Sequence, residues 1–179
     1  MPPNNTSSAL PFILLLGPVI TISAHGEIYL SAEQAAKIFF PKENFTRKPV
    51  LLSLEETARI SAASGSPVKA PNLNVLVSKE GSAVFTDQVI GKHELITYAV
   101  GIAKNGTIQG VEILEYRESY GGQIKREAWR RQFTGKTGKS EIAAGRDIKN
   151  LSGATLSSTH VTDGVRRVLQ TYEQIKKRL

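Results

Sequence analysis

The sequence contains no cysteine, and this absence excludes several kinds of redox chemistry at once. Without a thiol the chain can form no disulfide, no thiolate nucleophile, no cysteine-ligated iron–sulfur cluster and no thioether-linked haem. The three histidines, His25, His93 and His160, lie far apart in the sequence and form no close metal-binding pair. Any redox activity must therefore depend on an organic cofactor, or on a haem bound by histidine.

Negative charge is also scarce. The chain has 16 Asp and Glu against 23 Lys and Arg, which gives a formal net charge of +7. The basic residues are spread along the chain, and the cluster at residues 176–178 stands at a helix C-terminus, where cations are locally favoured. No nucleic-acid-binding motif is present, so we expect no nucleic acid among the partners. A diffuse positive surface suits an acidic redox partner protein or an anionic membrane.

The longest apolar run is ALPFILLLGPVITISA at residues 9–24, and two prolines interrupt it. A membrane-spanning helix needs about 20 apolar residues, so this run is short for one. Its length and the tripeptide Ile22-Ser23-Ala24 predict a signal peptide over residues 1–24, although no Lys or Arg precedes the run. An uncleaved anchor and a buried apolar segment are the alternatives. A signal peptide predicts an extracytoplasmic location, in the periplasm or on the outer face of the cytoplasmic membrane.

The remaining residues predict a mixed fold. Between residues 25 and 91, capping-box patterns at Ser31 with Gln34 and at Ser53 with Glu56 indicate two short helices, and the alternating residues 73–77 and 83–86 indicate strands. Asn105-Gly106 joins two β-rich runs, residues 95–103 and 108–116, and predicts a hairpin.

The C-terminal half adds helices to this hairpin. Residues 123–133 have a helical pattern in which Trp129 belongs to the apolar face, and we expect Trp129 in the core. Apolar residues then recur every three or four positions from Val161 to Leu179 and predict a long helix. The expected fold class is α+β: a curved antiparallel sheet with a hairpin at 95–116, short N-terminal helices, and a C-terminal helix packed on the sheet.

A run of small and hydroxylated residues, Leu-Ser-Gly-Ala-Thr-Leu-Ser-Ser at 151–158, leads into that last helix. A helix N-terminus offers unpaired amides and the positive end of the helix dipole, and Gly153 and Ala154 let another group approach the main chain. This combination favours an anion, and a phosphate most of all. The alternative is an ordinary helix start in which Ser157 or Ser158 is the N-cap and Gly153 forms a turn.

This run resembles the C-terminal motif of the FMN-binding domain family, which occurs in small flavin-carrying subunits of Rnf-type complexes and of sodium-translocating NADH:quinone reductases. A second stretch, Arg-Glu-Ser-Tyr-Gly-Gly at 117–122, with Trp-Arg-Arg-Gln-Phe at 129–133, is also similar to members of the family. The resemblance covers residues 92–179, which we take as the FMN-binding core. It implies that the phosphate of FMN is esterified to Thr155 by a flavin transferase that uses FAD.

The resemblance also implies a set of cofactor-binding residues. From the run before the last helix they are Ser152, Gly153, Ala154, Thr155, Ser157 and Ser158. From the loop after the hairpin they are Tyr120, Gly121 and Gly122, where paired glycines would let a flat ligand approach and Tyr120 would stack on it. A plain strand-to-helix turn with a surface tyrosine is the alternative for this loop. Positive charge near the ring would come from Arg117, Arg130 or Arg131.

The sequence departs from the family motif at one position. The motif usually carries an Asp about three residues before the Ser or Thr, and Lys149 stands there in this chain. Asp147, two residues upstream, is the candidate to replace it. FMN bound without a covalent link is therefore the alternative.

The predicted function is that of an exported FMN protein that transfers electrons. Its expected partners are the flavin transferase and a redox partner protein or membrane electron-transfer complex. The sequence contains no acid–base pair for a substrate of its own, so an electron carrier is favoured over an enzyme. Two alternatives stay open: a non-covalent FMN-binding or sensing module, and a non-redox exported interaction domain.

Overall fold

The computed structural model describes residues 27–118 and 120–179, so the predicted signal peptide lies outside the described residues. Six strands form one antiparallel sheet in the order β1-β6-β5-β4-β3-β2. The strands are β1 (Glu27–Ile28), β2 (Phe45–Leu51), β3 (Asn72–Ser78), β4 (Ala83–Ile90), β5 (Leu95–Ile102) and β6 (Ile108–Tyr116). The helices are α1 (Ala32–Phe39), α2 (Leu54–Ser64), α3 (Glu127–Arg130) and α4 (Thr155–Ile175). The α+β fold class is confirmed, with α4 packed on the sheet.

Local sequence signals fix several of these elements. Ser31 and Ser53 both complete reciprocal capping boxes, with Gln34 and Glu56, at the starts of α1 and α2. The predicted hairpin is formed by β5 and β6, and Gly106 in its turn adopts a φ of 85°, which glycine reaches without strain. The helix predicted at residues 123–133 is instead two 3-10 turns on either side of the four-residue α3. None of the helices in the described ranges is long and apolar enough to cross a membrane.

Strand β2 has no counterpart in the sequence prediction. It forms the outer edge of the sheet and pairs with β3 along its whole length. Pro49 lies within it, which is compatible with an edge strand because a ladder bond is not needed on the outer side. Its polar residues Thr46, Arg47 and Lys48 conceal the strand from a search for apolar alternation.

The two faces of the sheet are covered differently. Helix α4 crosses the inner face and encloses the main core with α2 and the loops that precede α4; its largest fully buried side chains include Tyr98, Phe133, Ile60 and Leu169. On the outer face, α1 covers a smaller cluster. The Phe39 ring there lies directly over two neighbouring glycines, since a Cβ on Gly101 or Gly110 would approach the ring to 2.5 or 2.7 Å.

Helix α4 approaches the sheet most closely at Gly164. A Cβ at this position would clash with the Tyr98 hydroxyl, which is buried beneath the helix. That hydroxyl donates to Asp87 Oδ2 at 2.8 Å, and the same oxygen accepts from Arg167 Nη2 at 2.6 Å. Burial, and next the charge of Asp87, raise the pKa of Tyr98 well above its ordinary value, so Tyr98 remains a donor. The network of Tyr98, Asp87 and Arg167 thus fixes where α4 lies on the sheet.

We expect Gly164→Ala to lower the free energy of unfolding by about 1 to 3 kcal/mol, because the added methyl group pushes α4 away from Tyr98. This loss should occur although alanine favours a helix more than glycine does. Chemical denaturation measures the effect. In a Tyr98→Phe background the clashing oxygen is absent, so the same substitution should cost less. Equal losses in the two backgrounds would show that the Tyr98 hydroxyl does not set this contact.

Candidate functional site

The structure brings the two loops singled out in the sequence together. A Cβ on Gly121 would lie 3.2 Å from Ser157 Oγ and 3.4 Å from Ala154 Cβ. A Cβ on Gly153 would lie 3.3 Å from Gln123 Nε2. Gly121 and Gly153 have φ values of 85° and 79°, in the left-handed region that favours glycine. The loop after β6 and the loop before α4 therefore form adjacent walls of one site.

The N-terminus of α4 lacks the side-chain cap that α1 and α2 possess. Its N-cap residue is Ala154, and no side chain there accepts a hydrogen bond from the first turn. Ser157 and Ser158 lie inside the helix and are buried, and the Ser158 hydroxyl donates to Thr155 O at 3.0 Å. Neither serine is the N-cap, so that alternative is wrong. The amides of the first turn are available to an external acceptor.

Thr155 is the first residue of α4 and is exposed. Its hydroxyl is 3.4 Å from Leu151 O, a long contact within the same loop. Ser152 and Gly153 beside it are exposed as well. The hydroxyl of Thr155 is thus accessible at the positive end of a 21-residue helix.

A third wall comes from the turn between β4 and β5. The Glu118 carboxylate accepts hydrogen bonds from the amides of His93 at 2.5 Å and Glu94 at 2.9 Å. A Cβ on Gly91 would lie 2.7 Å from the same carboxylate oxygen, so a side chain there would displace the carboxylate. From α4, His160 Nδ1 lies 2.6 Å from Ile90 O; a carbonyl only accepts, so Nδ1 carries the proton. His160 therefore holds the turn against α4.

Two tyrosines, Tyr116 and Tyr29, hold the loop after β6 in place through Tyr120 and Lys125. Tyr116 is buried, and its hydroxyl donates to Tyr120 O. Burial raises the pKa of Tyr116, so its hydroxyl stays protonated. The Lys125 ammonium lies 5.5 Å from the centre of the Tyr116 ring and 2.7 Å from Tyr29 Oη. Tyr120 itself is 80% exposed at the mouth of the site.

The sequence suggested three arginines as sources of positive charge near the flavin ring. Those three are matched by carboxylates, in the pairs Arg117 with Glu115, Arg130 with Glu112, and Arg131 with Glu127. Four other cations in the surrounding loops form no ion pair among the described residues: Lys92, Lys125, Arg126 and Lys149. Glu118 and Glu94 in the same loops also form no ion pair among the described residues, so four unpaired cations stand against two unpaired carboxylates and leave an excess of positive charge.

The segment just before the α4 loop is held in place by buried groups. Trp129 is in the core as expected, and its indole nitrogen donates to Lys149 O at 2.8 Å. Asp147 accepts from Lys136 Nζ at 2.7 Å and from the amide of Ala143 at 2.7 Å. The carboxylate of Asp147 therefore shapes the preceding turn, and Lys149 occupies the position where the family motif usually has an aspartate.

Taken together, these features describe an α+β domain whose last helix begins, uncapped, in a cradle of glycines. Residues 91–170 match the family model of the FMN-binding domain. The match identifies an FMN-binding domain in this part of the chain, and FMN is its cofactor.

A relative of known function agrees with this assignment. The chain is 27% identical over 137 residues to one of the subunits of the Na(+)-translocating ferredoxin:NAD(+) oxidoreductase complex of Acetobacterium woodii. The match covers 69% of this chain and 66% of that protein, so the chain spans about two thirds of its relative.

Solved structures share the fold. NqrC of Shewanella oneidensis superposes with a TM-score of 0.54 at 16% identity, over 79% of this chain and 86% of that one. The corresponding component of the Na(+)-translocating NADH-quinone reductase of Parabacteroides distasonis has a TM-score of 0.54 at 14% identity, over 85% and 87%.

The residues present fit FMN. The uncapped amides at the start of α4 suit its phosphate, and the two glycines in the left-handed region leave room for close approach. The buried Oε1 atom of Gln123 has no hydrogen-bond partner in the described structure, although Gln123 lies beside Gly153. This acceptor requires a donor, and the ribityl hydroxyls and ring N–H of FMN are donors. Sequence reasoning missed Gln123 and Glu118, of which only Glu118 lies within a recognised motif.

The link between Glu118 and the turn at residues 92–94 should depend on pH. Burial alone would raise the pKa of Glu118, but hydrogen bonds from the amides of residues 92–94 outweigh it and hold this pKa below 4.5. Since the folded-state pKa is the lower one, the contribution is complete above about pH 4.5 and is lost as the pH falls through the folded-state value. The protection of the Glu94 amide, which is its exchange rate compared with the intrinsic rate at the same pH, should therefore fall on acidification. In Glu118→Gln this pH dependence should be absent; its persistence would assign it to another carboxylate.

Proposed function

We propose that this chain is an exported flavoprotein that carries one FMN, bound covalently through a phosphoester to Thr155, and that it transfers electrons within a membrane complex. The observation that carries the proposal is the accessible hydroxyl of Thr155 at an uncapped helix N-terminus, beside the glycine of the loop after β6. No other hydroxyl in the loop combines exposure with a place in the first turn of α4 among the described residues.

The phosphate would accept hydrogen bonds from the amides of residues 155–157. A hydrogen bond to a charged group contributes about 1.5 to 3 kcal/mol, and the helix dipole adds to this. Ser152, Gly153 and Ala154 would surround the phosphate, while Tyr120, Gly121 and Gly122 would face the ring system. The buried serines Ser157 and Ser158 would act mainly by shaping the first turn of α4, with Ser157 next to Gly121.

FMN supplies the electron-transfer chemistry when it is bound, and the chain supplies position and electrostatics. Lys92, Lys125, Arg126 and Lys149 would favour states of the cofactor with added negative charge. The same cations form a positive rim that an acidic redox protein could approach. Among the described residues of the site we find no acid–base pair directed at a further substrate, and we therefore favour a role as electron carrier over an enzyme with its own substrate.

Attachment needs a second protein. A flavin transferase would join FMN from FAD to Thr155 Oγ1: the bond between the two phosphates of FAD breaks, the new phosphoester forms, and AMP leaves with the hydroxyl proton. Residues 1–24 would direct export, or remain as an anchor, and residues 92–179 would form the cofactor-binding core. The relative from Acetobacterium woodii belongs to an oxidoreductase complex, which supports assembly into a membrane electron-transfer complex.

A second candidate is a module that binds FMN reversibly. It is favoured by Lys149, which replaces the aspartate of the attachment motif, and by Asp147, whose carboxylate already binds Lys136 and the amide of Ala143. The same cradle would hold the phosphate in either case. The two candidates differ in whether the flavin survives denaturation.

The covalent link is tested by producing the full chain together with a flavin transferase. We expect the flavin to remain after denaturation and precipitation, with the mass of the Thr155 peptide raised by one FMN less one water. Thr155→Val should abolish this adduct, whereas Thr159→Val, a matched change one turn later, should keep it. Flavin that is released on denaturation would support the reversible module, and Lys149→Asp should then restore attachment. A colourless wild-type protein would contradict both candidates.

Gly121→Val tests the cradle independently of attachment. A Cβ at this position would lie 2.9 Å from Tyr116 Oη, and the valine backbone would have to adopt a φ of 85°. We expect FMN added to the unmodified protein to bind at least about tenfold more weakly, which corresponds to about 1.4 kcal/mol. Flavin fluorescence quenching measures the affinity. Gly135→Val is the matched control, because Gly135 has a similar φ of 84° but no neighbour within 4 Å; an equal loss in both variants would point to general misfolding.

A further inference from the structure

The β3–β4 hairpin opens partway along its length. The backbone amide of Ser78 donates to Ser82 O. In an antiparallel pair every second residue points its backbone N–H and C=O at the partner strand, and here these are the even-numbered residues of β3 and β4. Pairing continues through Leu76 with Val84 and then stops. In the same register Asn74 would pair with Thr86, and Asn72 with Gln88. Both strands nevertheless continue, β3 on β2 and β4 on β5.

A cavity of about 520 Å³ fills this opening. Its lining includes the four residues whose backbones should have paired: Asn72, Asn74, Thr86 and Gln88. Leu52 and Val168 line it from the inner face of the sheet, and Leu114 lines it from the outer face. The opening therefore extends through the sheet, between two strands that are each paired on the other side.

Of the four residues, only Gln88 has backbone groups that are hydrogen-bonded by side chains instead of by a neighbouring strand. Gln88 O accepts a long hydrogen bond of 3.5 Å from Arg167 Nη2, and the amide of Gln88 donates to Asp87 Oδ1 at 2.8 Å. All four gap-facing residues are exposed. For Asn72, Asn74 and Thr86 no partner strand in the described ranges lies on the gap side. Two facing strand edges are thus open to an added strand.

The chemistry of the lining selects the side chains of such a strand. Its inner surface is apolar, with Leu52, Phe85 and Val168. Its charged residues are Arg47, Lys69, Arg167 and Asp87. Arg167 is paired with Asp87 and Arg47 with Glu33, so Lys69 is the lining cation that has no ion pair among the described residues. Since successive side chains of a strand point to opposite faces, a segment that alternates apolar and acidic residues satisfies both surfaces.

We propose that the opening between β3 and β4 binds an extended segment of a partner polypeptide, which adds about four residues as a strand between them. The segment alternates apolar side chains, directed at the inner face, with polar side chains, and its acidic residues match the unpaired charge of Lys69. This site is distinct from the cofactor cradle, because neither Thr155 nor any residue of the loop after β6 lines the cavity. The proposal does not depend on how FMN is attached.

The probe is an end-blocked hexapeptide of alternating valine and glutamate, added at millimolar concentration to the full chain. Hydrogen exchange followed by NMR should show the amides of Asn74 and Thr86 slowed about tenfold or more at saturation. The same peptide with a methyl group on one central amide nitrogen should give much less protection, because it loses a ladder bond. A peptide of alternating valine and lysine should bind more weakly.

A reversible lock provides a second measurement. Because the chain has no cysteine, Asn74→Cys with Thr86→Cys can form only one disulfide, which would close the opening. The oxidised protein should lose peptide binding and the reduced protein should regain it. Thr97→Cys with Glu115→Cys is the control, since those residues already pair across β5 and β6. If the disulfide does not form, the comparison of the methylated with the unmethylated peptide still tests the proposal.

Three results would overturn the proposal. One is a lack of protection at Asn74 and Thr86 with saturating peptide. Another is equal protection by the methylated peptide, which would show that ladder bonds are not made. The third is protection confined to β1 or β2, which would place the peptide at an outer edge of the sheet.

Discussion

The contact of α4 with the sheet at Gly164 is the constraint on which the rest of the structure depends. Helix α4 can rest on the Tyr98 hydroxyl only because position 164 carries no side chain. Asp87 and Arg167 then fix the direction of the helix through charge-assisted hydrogen bonds. The N-terminus of α4 is thereby set against the loop after β6. A site made of two distant loops thus owes its geometry to a contact about two and a half helical turns away.

Polar groups are satisfied in most of the described structure; apart from the single buried atoms Glu43 Oε2 and Thr57 Oγ1, two places have several open polar groups together. The first is the start of α4, where no side chain caps the helix and Gln123 Oε1 lacks a partner. The second is the opening between β3 and β4. Helices α1 and α2 carry complete capping boxes, so the sequence supplies such partners elsewhere. Open polar groups in an otherwise satisfied fold indicate where binding partners belong.

The fold was predictable wherever neighbouring residues determine it. Capping boxes located α1 and α2, and Asn105-Gly106 located the hairpin. Strand β2 was missed because an edge strand needs little apolar surface. In the site, a short motif identified the loop before α4, but Glu118 acts on amides more than 20 residues away, which no local pattern reveals. All three suggested arginines have carboxylate partners, and the partner of Arg130, Glu112, lies on a different element, which no local pattern reveals.

The short strand β1 joins the N-terminal segment to the cofactor-binding half of the domain. Its residues pair with Glu115 and Tyr116, at the end of β6 where the loop of Gly121 begins. Shortly after β1, Tyr29 binds Lys125 on the far side of that loop. If residues 1–26 are held at a membrane, any pull on the tether falls on this strand first and is passed into the walls of the flavin cradle. Mechanical tension on the N-terminal segment would then alter the affinity for the cofactor through β1 and Tyr29.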